Sequence, residues 1–316
     1  MGPPMATRTS SRSETLAPPV PLALWPVAAT PAQSELASRY LSGPDSDAGA
    51  LSPELARRII TEYTRPGDLV FDPICGIGVT VVEAAGLGRR VIGVERQDRW
   101  AQLAIANCEH ILPPRAWPLV EVITADVRRL VDVFPARDGT VDLVVICPPA
   151  GCDGGLSNGI ARPHPAGGLP DAGTAMNRRP ACGPADRPLN VEAVTELYVV
   201  VHRLLRPGGL LVAVTSNTWR GGRLLDRAGL VVQRAQAAGF GYLQHVIALH
   251  AAICEDQLVA RPPFRRDAQA RTVRRGGPAA HLLAHQDVLV FQALPGARQL
   301  PGRHVSSAPT AAGGGR

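Results

Sequence analysis

The stretch Phe71-Asp72-Pro73-Ile74-Cys75-Gly76-Ile77-Gly78-Val79-Thr80 (FDPICGIGVT, residues 71–80) decides the fold. It leads from an apolar strand, through an acid and two glycines, into the start of a helix. The strand is LVFD (69–72) and the helix is GVTVVEAAGLG (78–88), closed by glycine. Gly76 and Gly78 let the backbone turn sharply and approach a ligand, and the following helix presents its N-terminus at the same place. In open α/β sheets ligands bind beyond the carboxyl ends of strands, so this turn marks a binding edge.

Before the turn, SPELARRIITEYT (52–64) has Ser52 as N-cap, Pro53 at the first helical position, Glu54 behind it and apolar residues at helical spacing. RPGD (65–68) ends that helix. After the turn, strands and helices alternate. RRVIGVE (89–95) is a strand, DRWAQLAIANCEHI (98–111) a helix and LVEVITAD (119–126) a strand. VDLVVIC (141–147) is continuously apolar, as a strand covered on both faces should be. NVEAVTELYVVVHRLL (190–205) is a helix, RPGG (206–209) a turn and LLVAVTS (210–216) a strand. RLLDRAGLVVQRAQAAG (223–239) is read as a helix, YLQHVIALHAAI (242–253) as a strand and DVLVFQ (287–292) as the last strand. Seven strands in this rhythm predict a doubly wound, mainly parallel α/β sheet.

Composition bounds the rest. The chain has 316 residues, 45% hydrophobic and 19% charged, enough for one full core. Its 32 glycines and 30 prolines gather in stretches with little to bury. Residues 1–24 and 294–316 are read as disordered tails around a domain at 25–293, and 150–190 as a long irregular insertion. All 33 basic residues are arginine, and the net charge is +6. Arginine's planar fork suits phosphate, which fits a nucleic-acid partner. The segment from Arg261 to Arg275 holds six arginines (Arg261, Arg265, Arg266, Arg271, Arg274 and Arg275) against one acid, Asp267. This basic loop, 260–280, is the candidate phosphate contact.

Several function classes drop out. The six cysteines form no CxxC pair, and Cys147, Cys152 and Cys182 match no zinc spacing. His281 and His285 lack a third ligand nearby, so no metal is expected. The apolar stretch APPVPLALWPVAA (17–29) is broken by prolines, and no run approaches the length of a membrane span. A reduced, cytoplasmic protein without a membrane partner is the expectation. No GxxxxGK[ST] loop or HExxH pair is present, which leaves phosphate-loop and zinc-hydrolase chemistry without support.

Three strand ends carry polar groups. Asp72 ends the first, and Glu95, about twenty residues on, ends the second, where a carboxylate can hold two ribose hydroxyls. Asp126 ends the third, placed for an adenine edge. The fourth strand ends at Cys147-Pro148-Pro149-Ala150, where two prolines stop the ladder and stiffen the backbone carbonyls.

With YTRPGDLVFDPICGIGVT (63–80), GVERQDRWAQLA (93–104), LRPGGLLVAVT (205–215), LVARPPF (258–264) and HLLAHQDVLVF (281–291), the chain resembles the S-adenosylmethionine-dependent DNA amino-methyltransferases, notably an actinobacterial group. These act on the N6 amine of adenine or the N4 amine of cytosine, with relatives acting on guanine in transfer RNA. The resemblance runs from Pro26 to Phe291 and implies a Rossmann-like methyltransferase sheet. It implies that Asp72, Gly76 and Gly78, with Cys75 and Thr80 of the same turn, bind the methionine part of S-adenosyl-L-methionine. Glu95 would hold the ribose and Asp126 the adenine amine. The family's catalytic turn is Asp, Asn or Ser, then Pro-Pro, then an aromatic residue. The polar side chain and the first proline's carbonyl accept from the target amine, and the ring stacks on a flipped base. Here Cys147, Pro148 and Pro149 occupy the turn, with alanine in the ring position. A thiol is a weak acceptor and alanine offers no stacking face, so the resemblance implies retained cofactor binding with weak or lost transfer.

Overall fold

The computed structural model describes residues 21–28, 30–41, 51–126, 138–147, 191–220, 223–255, 257–261 and 281–295. The glycine turn lies where the reading placed it. Strand β2 (Leu69–Asp72) leads through it into helix α3 (Val79–Gly86), then β3 (Arg90–Glu95), α4 (Asp98–Ile111), a 3-10 segment (Pro114–Leu119) and β4 (Val120–Thr124). Ahead of β2 come β1 (Leu24–Pro26), α1 (Ala32–Arg39) and α2 (Pro53–Tyr63). Ser52 caps α2 as expected, its hydroxyl accepting from Leu55 N–H at 3.2 Å. After β4 follow β5 (Val141–Ile146), α5 (Val191–Leu204), β6 (Leu205–Thr215), the short pair β7 (Thr218–Arg220) and β8 (Arg223–Leu225), and α6 (Arg227–Ala237). The chain ends in β9 (Phe240–Leu249), the hairpin β10 (Ala251–Cys254) and β11 (Gln257–Ala260), and β12 (His285–Ala293).

The main sheet has the order β1-β9-β12-β6-β5-β2-β3-β4, with β12 antiparallel to both neighbours and every other pairing parallel. It has eight strands where seven were expected. The extra one is β1, whose Leu24, Trp25 and Pro26 pair with Ile247, Ala248 and Leu249 at the sheet edge. Three residues with a proline carry too little alternation to announce a strand, and an edge is where proline is tolerated. Leu24 thus belongs to the sheet, although the reading placed it in a tail; positions 294 and 295 of the other tail are also among the described residues.

Three local readings are corrected. RPGG is not a turn before β6 but an irregularity within it: Val141 faces Leu205 while Leu143 faces Leu210, so one residue of β5 is spanned by four of β6. RLL (223–225) leaves the predicted helix and forms β8, because Asp226 caps α6 by accepting from Gly229 N–H at 2.8 Å. YLQHVIALHAAI splits into β9 and β10 around His250, which is fully buried.

Side chains alternate between two cores. One face packs Val70, Leu143, Val145, Val212 and Val214 against α2, α3 and α4 through Leu55, Ile59, Val81 and Ala104. The other packs Phe71, Val144, Ile146, Leu211 and Phe291 against α5 and α6 through Leu197, Tyr198, Val201 and Val231. Covering helices on both faces explain why β5 is an unbroken apolar run from Leu143 to Ile146. The chain winds outward from β2 to β4 and outward again from β5 to β9, so the reversal lies between β2 and β5. Ligand crevices form at such a switch point. Among the described residues, no helix is long and apolar enough to cross a membrane.

Candidate cofactor turn and catalytic strand end

Asp72 closes β2 at this switch point and is almost fully buried. One of its carboxylate oxygens accepts from Ile74 N–H at 3.0 Å, and the Thr80 hydroxyl donates to the same group. Burial raises its pKa from 3.8 to about 6, more than those bonds lower it, and the nearby Glu95 charge adds to the rise. The buried charge is therefore held at the edge of ionisation.

The turn itself is held from several sides. Cys75 N–H donates to Val94 O at 2.9 Å, and Gly78 N–H to Cys75 O at 2.8 Å. Gly76 N–H donates to one oxygen of Glu95 at 3.1 Å, and Gln97 N–H to the other at 2.8 Å. Glu95, at the end of β3, thus braces the turn that precedes its own strand. Gly78 has φ 85°, and a Cβ there would lie 2.9 Å from the Cβ of Ala104 on α4. Only glycine meets both demands. Gly93 on β3 makes a second close approach possible, since a Cβ would lie 2.6 Å from Val81 and 3.0 Å from the Cys75 sulfur.

Asp126 lies two residues beyond β4. The β3–β4 register sets Glu95 beside Thr124, and Ala125 N–H donates to Glu95 O at 3.0 Å. Asp72, Glu95 and Asp126 thus stand at the carboxyl ends of three adjacent strands, as read.

Cys147 follows β5 and packs on the same face as Val145. Burial pushes its thiol up to about 12, and the Asp72 carboxylate adds to the rise, while Arg227 at the start of α6 opposes it. At neutral pH the group is a neutral thiol, a weak donor and weaker acceptor. Pro148, Pro149 and Ala150 lie outside the described residues, as do Arg265, Arg266, Arg271, Arg274 and Arg275. Arg261 is described: its guanidinium donates to Ala28 O at 3.0 Å and its N–H to His250 O at 2.8 Å. Those contacts tie the base of the β10–β11 hairpin to the end of β1. Among the described residues, no group of three or more His, Cys, Asp or Glu side chains could hold a metal.

Two side chains were missed by the sequence reading. Arg227 is buried at the N-terminus of α6, where the Asn217 side-chain oxygen accepts from Arg227 N–H at 2.8 Å and Ala228 N–H at 3.2 Å. Asn107 is fully buried on α4 and bonds the glycine turn. An asparagine on the apolar stripe Ala101-Ala104-Cys108 was the available signal, because a buried amide must find partners.

Comparison with known proteins adds four findings. A family model described as DNA methylase matches residues 26–106. A tRNA (guanine(10)-N2)-dimethyltransferase of Methanothermobacter thermautotrophicus is 34% identical over 104 residues, 33% of this chain and 28% of that protein. The Type II methyltransferase M.HinfI of Haemophilus influenzae is 36% identical over 59 residues, 19% of this chain and 16% of that protein. The chain thus matches less than a third of either relative's length. Among solved structures, a precorrin-6y C5,15-methyltransferase from Geobacter metallireducens superposes with a TM-score of 0.45 at 13% identity, covering 81% of this chain and 94% of its own.

Proposed function

We propose an S-adenosylmethionine-dependent methyltransferase acting on the exocyclic amine of adenine (N6) or cytosine (N4) in DNA, a reading supported by the match of residues 26–106 to a family model described as DNA methylase. The observation that carries this reading is the row Asp72, Glu95 and Asp126 at successive strand ends around one braced glycine turn. The donor set suits the cofactor: carboxylates for an ammonium and for ribose hydroxyls, beside a backbone turn that a ligand can approach closely. S-adenosylmethionine supplies an electrophilic methyl group when bound. Asp72 would hold the ammonium of its methionine part. Glu95 has each oxygen engaged by one backbone N–H and keeps lone pairs for the ribose. Asp126 would accept from the adenine amine.

The target amine would meet the turn after β5. Cys147 stands where the family has a carboxylate, amide or hydroxyl, so of the two acceptors only the Pro148 carbonyl remains strong. Without them both, the nitrogen lone pair is poorly aligned, and catalysis by positioning weakens. Cofactor binding with slow transfer is the outcome this arrangement supports. The phosphates would be met by Arg265, Arg266, Arg271, Arg274 and Arg275, which the sequence places between β11 and β12.

A second reading, amino-methylation of guanine in RNA, is favoured by the identity to the tRNA enzyme over 104 residues. Tritium transfer from labelled S-adenosylmethionine to DNA and to tRNA, with calorimetric cofactor binding on the same sample, tests both. Label in DNA supports the first and label in tRNA alone the second. Binding without transfer to either points to a protein that keeps the pocket and has lost the chemistry. Absence of binding removes the assignment of Asp72, Glu95 and Asp126.

A further inference from the structure

Asn107 lies in the middle of the last two turns of α4, with no exposed surface. Its side-chain nitrogen donates to Ile77 O at 3.0 Å and to Leu41 O at 3.2 Å, and its oxygen accepts from Leu41 N–H at 2.7 Å. All three partners are backbone groups, and they belong to two segments remote in sequence. One is the glycine turn. The other is the end of the arm that starts with α1.

The bond to Ile77 bears on the turn's conformation. The Ile77–Gly78 peptide has its N–H on Cys75 O at 2.8 Å and its C=O on Asn107, so both ends of the unit are held. Gly76 and Gly78 flank it with φ of 55° and 85°, and glycines by themselves allow many orientations. Ala104, one turn earlier on α4, meets Gly78 in close contact. Ala104 and Asn107 lie three residues apart, so one stripe of α4 meets the Ile77–Gly78 end of the turn.

We infer that Asn107 is a positioning residue for methyl-donor binding: it fixes the orientation of the Ile77–Gly78 peptide and couples that peptide to the arm ending at Leu41. The inference rests on the glycine turn being the donor site. Asn107→Asp keeps the acceptor for Leu41 N–H and removes both donors. Glu83→Gln is the control. Glu83 on α3 anchors the same arm, accepting from Tyr40 hydroxyl at 2.6 Å, Arg39 at 3.0 Å and Arg57 at 3.1 Å, without touching the turn.

Donor affinity is read by calorimetry and stability by thermal melting, on the full chain. Losing a buried hydrogen bond to the turn should weaken S-adenosylmethionine by about tenfold in Asn107→Asp, with Glu83→Gln within about twofold of wild type despite its lower melting temperature. Unchanged affinity in Asn107→Asp overturns the inference. So does equal weakening in both variants, which means general loosening. If wild type itself binds no donor, the reading of the turn fails and this inference with it. Should Asn107→Asp not fold, hydrogen exchange on wild type decides. The donor should slow exchange at the Leu41 amide together with that of Gly78, and an unaffected Leu41 amide rejects the coupling.

Discussion

The carboxyl edge of the sheet has two halves built on opposite terms. On the β2–β3–β4 side the groups around the turn hold one another: Asp72 is held by Ile74 and Thr80, Glu95 by Gly76 and Gln97, and the glycine turn by Glu95 and Asn107. On the β5 side Cys147 presents a neutral thiol, held protonated by burial and by the Asp72 charge. One half invests a buried charge, and shifted carboxylates of this kind cluster at functional sites. The other half, under the proposed function, lacks the strong acceptor that transfer would need. Under the proposed function, binding and transfer would rest on separate parts of the edge, so a change to one should leave the other in place.

The largest effect should come from Asp72→Asn. If Asp72 pairs with the donor's ammonium as proposed, removing that buried carboxylate should weaken S-adenosylmethionine by about a hundredfold or more in calorimetry. The same change should stabilise the protein without donor. The folded-state pKa of about 6 exceeds the ordinary 3.8, so the fold favours the protonated acid. Asp72's contribution is fully favourable below pH 3.8 and is lost as pH rises through about 6. Ionisation at neutral pH then opposes folding by about 3 kcal/mol as an upper figure. In melts without donor, wild type should fall relative to Asp72→Asn as pH rises from 3.8 through about 6, while wild-type donor affinity rises as the folded-state acid ionises around pH 6. A difference between the two melting curves that does not change with pH would mean that Asp72 carries no such burden.

Gly78→Ala should follow, at about 2–4 kcal/mol of stability in chemical denaturation, from a left-handed residue plus a collision with Ala104. Gly139→Ala separates the two causes. Its φ is 65° with nothing within 4 Å of an added Cβ, so it should cost about 1–2 kcal/mol. Equal losses at both positions would deny that α4 seats the turn.

On the β5 side the change runs toward gain. Cys147→Ser with Ala150→Tyr returns an acceptor and a stacking ring, and stacking alone contributes about 1–3 kcal/mol. Methyl transfer should rise by about tenfold or more with donor affinity unchanged. Fast transfer in the unaltered chain would instead show that the thiol suffices.

Much of this was legible in the residues. Periodicity and the Ser52 and glycine signals placed the helices from α2 onward, though not α1 (Ala32–Arg39), and the acids at strand ends marked the proposed donor side, because each is a local rule. What escaped was non-local. β1 exists through pairing with β9, RPGG is absorbed by the register between β5 and β6, and RLL turns into β8 against Thr218–Arg220. Asn107 likewise gained its meaning only when α4 met Ile77 and Leu41. A single sequence shows a polar residue on an apolar stripe but not which backbone it satisfies.

Arg261 tests that limit with the smallest effect. Composition groups it with the other five arginines as a phosphate contact, yet its guanidinium donates to Ala28 O and its backbone closes the β10–β11 hairpin on His250. Each phosphate contact contributes close to one unit to the slope of log affinity against log salt, about 0.9 for duplex DNA. Arg261→Ala should leave that slope and the DNA affinity unchanged to within about twofold, while lowering stability by about 1 kcal/mol for the lost hydrogen bond. Arg265→Ala should do the reverse, reducing the slope and leaving the melt alone. A slope that drops by about one unit in Arg261→Ala would return this residue to the nucleic-acid face.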